Sequence, residues 1–103
     1  MRIAVVRYKV KPDRVAENEG LVRAVYEELQ GTQPTGLRYA TLRLDDGVSF
    51  VHVAETVDGD NPLARVAAFQ RFTENIGERC DEPPVVSEAN IIGSFNLFES
   101  GAT

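Results

Sequence analysis

The chain lacks tryptophan and carries one cysteine, one histidine and one methionine in 103 residues. A lone cysteine, Cys80, cannot form an internal disulfide, so a reducing compartment, the cytoplasm, is the expected location. One histidine and one cysteine cannot build a closed zinc site, and no glycine-rich phosphate loop is present. Neither a metal nor a cofactor is therefore expected. Basic blocks are absent, and the net charge of −5 weighs against nucleic acid and anionic membranes as partners. Long apolar runs are missing too. The opening Met1-Arg2-Ile3-Ala4-Val5-Val6 breaks at Arg7, too early for a signal-peptide core or a membrane span.

What is present suits one soluble domain over residues 1–103, with an ordered core from about residue 2 to residue 98. A chain of this length buries roughly 60–68% of its unfolded surface, enough for one core. The most β-prone run is Gly47 to Val57, which follows an Asp46-Gly47 turn and holds the only histidine, His52.

Arg2 to Lys11 alternates as a strand, with Ala4, Val6, Tyr8 and Val10 on one face and Ile3, Val5, Arg7 and Lys9 on the other. Pro12 stops it, and Asp13 is a candidate cap for a helix over Arg14 to Leu29. Val15, Val22, Val25 and Leu29 form that helix's apolar stripe. Asn18 interrupts the stripe and needs a partner: either backbone or water near the first turn, or a pocket at the helix end. Leu37 to Leu44 reads as a second strand, and Asp45-Asp46-Gly47 as the hairpin into the third. Asp58 to Pro62 is a turn in which Asn61 caps and Pro62 opens a second helix over Leu63 to Arg79. Pro83-Pro84 ends any helix. Val85 to Phe98 is then a last extended stretch, and Glu99 to Thr103 a polar tail expected to fray.

The order β-α-β-β-α-β predicts an α+β, ferredoxin-like fold, a four-stranded antiparallel sheet with both helices on one face. If Val51, Val53 and Val57 face the helices, the opposite face carries Ile3, Val5, Leu37, Tyr39, Phe50 and Ala54. An apolar patch of that extent calls for a cover, and two such sheets would close into a barrel, so the expected partner is a second copy of the chain.

With these elements laid out, the chain resembles the dimeric α+β barrel superfamily, and within it the antibiotic-biosynthesis-monooxygenase-like (ABM-like) domains. The resemblance spans nearly the whole chain. It rests on Val6-Arg7-Tyr8-Lys9-Val10-Lys11-Pro12, on the hairpin leading into Phe50-Val51-His52-Val53-Ala54-Glu55, on Asn61-Pro62-Leu63 and on Gly93-Ser94-Phe95. It implies a cofactor-independent monooxygenase acting on a small aromatic or polyketide-like substrate inside the dimer. The alternative is a non-catalytic dimeric module that binds a small ligand or only pairs with itself. Haem-degrading relatives hold iron with a histidine on the second helix and place a tryptophan nearby. This chain has neither.

The same strand phase nominates the site. His52 is either a hydrogen-bonded core residue or an acid–base group, with Tyr39 as the second catalytic candidate. Arg7, Thr41 and Arg43 share the expected interior. The two arginines would hold an anionic or phenolic ligand there or else pair with acidic side chains at the rim. Phe50, Asn18 and, on the last strand, Asn96 complete the candidate ligand-binding set. Cys80 reads as a small buried hydrophobe. A slip of one residue in strand register would reverse every one of these orientations.

Overall fold

The computed structural model describes residues 1–57 and 59–97. The expected turn at Asp58, the end of the last stretch at Phe98 and the tail Glu99 to Thr103 lie outside the described residues. Strands β1 (Arg2–Val10), β2 (Leu37–Arg43), β3 (Ser49–Thr56) and β4 (Cys80–Ala89) form one antiparallel sheet in the order β2-β3-β1-β4. Helix α1 (Val15–Thr32) links β1 to β2, and α2 (Ala67–Thr73) with α3 (Ile76–Arg79) links β3 to β4. This is the expected ferredoxin-like α+β order.

Local chemistry explains the boundaries. Pro12–Arg14 forms a 3-10 turn, so α1 begins at Val15 and Asp13 does not cap it through its side chain. Gly47 takes the left-handed conformation, φ +80°, in the β2–β3 turn. There the Asp46 carboxylate accepts from the Val48 and Ser49 amides, at 3.0 and 2.8 Å, and from the Ser49 hydroxyl at 2.5 Å. The Ser49 hydroxyl first, then those two amides, pull the Asp46 carboxyl down to about 2. Asn61 accepts from the Leu63 amide at 3.1 Å, as a cap should.

The second helix is not continuous. Pro62–Arg65 is a 3-10 turn, Val66 is extended, and Asn75 sits left-handed at φ +57° between α2 and α3. Asparagine tolerates that conformation better than most residues. The last strand also starts and stops earlier than expected. β4 begins at Cys80 and runs through Pro83-Pro84, while 90–97 follow without strand pairing. Prolines are tolerated because β4 is an edge strand whose register against β1 shifts between Arg7 and Lys9.

The faces of β2 and β3 are the reverse of the expectation. His52 pairs with Val6, Phe50 with Tyr8 and Ala54 with Ala4. Cross-strand partners share a face, and Tyr8, Val10 and Phe50 belong to the core beneath the helices, with Val25, Leu63, Val66, Ala68, Phe72 and Cys80. His52 therefore looks toward the helices, and so do Leu37, Tyr39, Thr41 and Arg43 through their pairing with β3. Val51 and Val53 join Ile3, Val5 and Arg7 on the opposite, open face. The valine row had the stronger apolar pattern, but pairing with the core-facing row of the inner strand β1 settles the phase.

Helix α1 also caps α2. Glu28 accepts the Ala67 and Ala68 amides at 3.1 and 2.9 Å, satisfying two first-turn N–H groups that no local side chain reaches. Replacing this acceptor by Glu28→Ala is expected to cost about 1–2 kcal/mol, and Glu28→Gln less, as read from urea unfolding midpoints.

Candidate functional site

Between the sheet and α2–α3 lies a cavity of about 650 Å3. Its walls are mostly apolar: Val6, Leu63, Phe69, Phe72, Ile76 and Val86. Ala4 and Ala54 face each other across β1 and β3 and line it too. Two methyl side chains where larger residues would fill the space leave the sheet surface open. Exposed residues Arg2, Asp60 and Glu88 line one end, where Arg2 and Glu88 pair at 2.8 Å. Tyr8, His52 and Phe72, each no more than 4% exposed, line the other.

That buried end is polar and fully connected. Tyr8 Oη lies 2.8 Å from His52 Nε2, and Tyr39 Oη lies 2.6 Å from His52 Nδ1. Thr41 Oγ1 stands 3.1 Å from the same Nδ1 and 2.7 Å from Tyr26 Oη. The Asn18 amide, with no exposed surface, donates from Nδ2 to Tyr8 Oη at 2.9 Å. Behind it, Arg79 Nε donates to Asn18 Oδ1 at 3.3 Å and Nη2 donates to the Phe72 carbonyl at 2.7 Å. The Arg79 guanidinium also lies over the Phe72 ring, 5.5 Å from its centroid. Aromatic contacts hold the imidazole in place: Phe72 at 5.2 Å, Tyr8 at 5.3 Å and Tyr39 at 5.7 Å between ring centroids.

Burial keeps the cluster uncharged. It lowers His52 to about 4, so the imidazole is neutral at pH 7. It raises Tyr8 to about 12, against the opposing Asn18 hydrogen bond and the Arg79 charge. Tyr39 and Tyr26 are raised by burial as well. The arrangement can accept a proton at a neutral imidazole, donate hydrogen bonds from phenols, and orient a planar apolar ligand between aromatic side chains.

Of the residues nominated from sequence, the fold brings together His52, Tyr39, Thr41 and Asn18, on the helix side of the sheet rather than the open side. Phe50 stacks on Tyr8 at 5.5 Å and supports it from within the core. Arg7 lies across the sheet on the open face and does not meet the cluster. Arg43 shares the helix-side row but donates to Glu19 of α1 at 2.6 Å. Asn96 is exposed and left-handed at φ +59°, beyond the end of β4. Tyr8 and Arg79 were not nominated. Tyr8 had a readable signal: it is the only hydroxyl in an apolar strand row, one helix away from an asparagine in an apolar stripe, and two buried polar groups seek each other. Arg79 had none, because its partners, Asn18 and the Phe72 carbonyl, are brought to it by the fold.

The fold matches that of solved ferredoxin-like α+β structures. A candidate antibiotic biosynthesis monooxygenase from Nitrosomonas europaea superposes with a TM-score of 0.74 at 20% identity, over 90% of this chain and 100% of the other. A variant of SnoaB, a cofactor-independent oxygenase from Streptomyces nogalater, superposes with a TM-score of 0.64 at 20% identity, over 93% and 97%. These likenesses establish the fold. No family model and no curated protein matches the sequence.

His52 carries a pH signature. Its pKa is lower in the folded chain, about 4, than the ordinary value of 6.5. The unfolded chain therefore binds the extra proton first, and stability falls as pH drops from 6.5 to 4, by as much as about 3 kcal/mol. Above pH 6.5 the group contributes no slope. Urea unfolding across this range, compared with a His52→Gln variant, should show the slope in the parent chain and its loss in the variant.

Proposed function

We propose that the cavity is the site of a cofactor-independent oxygenase acting on a small aromatic or polyketide-like substrate. The observation that carries this reading is the convergence of Tyr8, His52 and Tyr39 on the buried end of an otherwise apolar cavity. The flat rings of Phe69 and Phe72 suit an aromatic substrate. A methylene between ionisable rings would lose a proton to His52 Nε2 by way of the Tyr8 hydroxyl. The Tyr39 hydroxyl would donate to the oxygen on which the charge settles. The carbanion would give an electron to dioxygen and bond to it at carbon, and the resulting peroxide would lose water. CH2 and O2 thus become C=O and H2O, with dioxygen as the oxidant. Arg7 and Arg43 take no part, since neither reaches the cluster.

Oxygen uptake with a dihydroxynaphthalene or an anthrone is the direct test. Tyr39→Phe is expected to lower kcat on the order of 10²-fold. No uptake across a panel of such substrates would end the oxygenase reading. Ligand binding without uptake would favour a ligand-binding protein instead.

We also propose that a second copy of the chain covers the open sheet face. That face carries the half-buried Val5, Val51 and Val53 and the exposed Leu42, and beyond β4 the side chains of Ile91, Ile92, Phe95 and Leu97 are 46–102% exposed. So much exposed apolar surface on a small domain marks an interface. Light scattering at micromolar concentration should give the mass of a dimer, and Val53→Lys should halve it. A monomer in the parent chain would contradict this reading.

A further inference from the structure

The buried cluster has a direction, and one side chain sets it. We infer that Arg79, through Asn18 and Tyr8, holds His52 as its Nδ1–H tautomer, so that the Tyr39 hydroxyl keeps its proton for an acceptor oxygen on the bound ligand.

Arg79 can only donate. A guanidinium has no acceptor, so the Asn18 atom that meets Arg79 Nε must be the carbonyl oxygen. The amide nitrogen then faces Tyr8 Oη and donates to it at 2.9 Å. With Asn18 giving a proton to that oxygen, the Tyr8 hydroxyl has its own proton to place, and His52 Nε2 at 2.8 Å is the acceptor. Among the described residues Nε2 is the acceptor within hydrogen-bond distance of the Tyr8 hydroxyl, which makes it the unprotonated nitrogen. A neutral imidazole carries its one proton on the other nitrogen, Nδ1. That proton points to Tyr39 Oη at 2.6 Å, closer than Thr41 Oγ1 at 3.1 Å. Tyr39 cannot return its proton to a protonated Nδ1. Its remaining hydroxyl neighbour, Thr41, also bonds Tyr26 at 2.7 Å, and a ligand oxygen at Tyr39 competes with Thr41 for the Tyr39 proton. Tyr39 lines the cavity and Thr41 does not.

The consequence is a division of labour between two phenols that look alike in sequence. Tyr8 spends its proton on the imidazole and presents no donor to the cavity. Tyr39 receives from the imidazole and has a donor to offer. A ligand is therefore selected for an oxygen acceptor, a ketone or a phenolate, placed at Tyr39, with the rest of its surface apolar. Arg79 and Asn18 touch no ligand and act as positioning residues. The assignment of ligand chemistry rests on the cavity being a binding site, as proposed above, whereas the tautomer does not.

Asn18→Asp separates the two possibilities. A carboxylate between Arg79 and Tyr8 accepts from both. In that variant the Tyr8 proton turns to the new carboxylate, His52 must donate from Nε2, and Nδ1 becomes the acceptor that takes up the Tyr39 proton. Because the chain has one histidine, long-range 15N–1H spectra of histidine-labelled protein at pH 7 report its tautomer without overlap. The parent chain should show the proton on Nδ1 alone, and Asn18→Asp should show a proton on Nε2. Any other pattern in the parent chain overturns the inference whether or not the variant folds, and a folded Asn18→Asp that keeps Nδ1–H alone overturns the role of Asn18. For the ligand, 1-tetralone and its deoxygenated counterpart tetralin serve as probes by calorimetric titration. Tyr39→Phe and Asn18→Asp should each weaken 1-tetralone about tenfold and leave tetralin within about twofold. Equal changes for the two probes, or none for the ketone, refute the acceptor selection. If neither probe binds the parent chain, the acceptor selection and the binding-site reading both fall, while the tautomer result stands on its own.

Discussion

The hydrogen bond from the Asn18 amide to the Tyr8 hydroxyl is the contact on which the site's structure depends. It joins helix α1 to the inner strand β1 at a point almost without solvent exposure. A buried amide left without partners costs about 1–3 kcal/mol, so Asn18 must be met on both sides. Arg79 meets its oxygen and Tyr8 accepts from its nitrogen. β1, α1 and the distant end of α3 are thereby held in one register. The Tyr8 hydroxyl then sits where His52, one strand over, can pair with it. The core aromatics Phe50 and Phe72 close around this pair and keep it dry.

Dryness decides the electrostatics. The imidazole is pushed toward its neutral form and the phenols away from ionisation, in each case chiefly by burial. The cluster therefore acts through the placement of protons and lone pairs rather than through net charge. The buried cation, Arg79, stands behind Asn18 and is not among the residues lining the cavity. Arg2 and Glu88 sit at the exposed end, where solvent screens them.

The two faces of the sheet divide the work. One, with small residues Ala4 and Ala54 beside Tyr8 and His52, makes the cavity with the helices. The other is rich in valine. Valine's β propensity serves both purposes equally well. For this reason the valines of β3 could not announce which side they were on.

Periodicity, turn residues and helix punctuation in the sequence were enough to determine the βαββαβ order and hence the fold class, because those features act over a few residues. They also marked Asn18 as a polar group in want of a partner, and His52 and Tyr39 as site candidates. The break at Asn75 and the strand running through Pro83-Pro84 were not legible, since an extra turn and an edge position depend on neighbours rather than on local propensity. Only the tertiary structure decided which face of β3 looks at the helices, and with it the company His52 keeps. Alternation says which residues share a face, but not which face is covered. That choice is made by pairing with β1, a contact between residues more than forty positions apart, as in the bond from Tyr8 to His52.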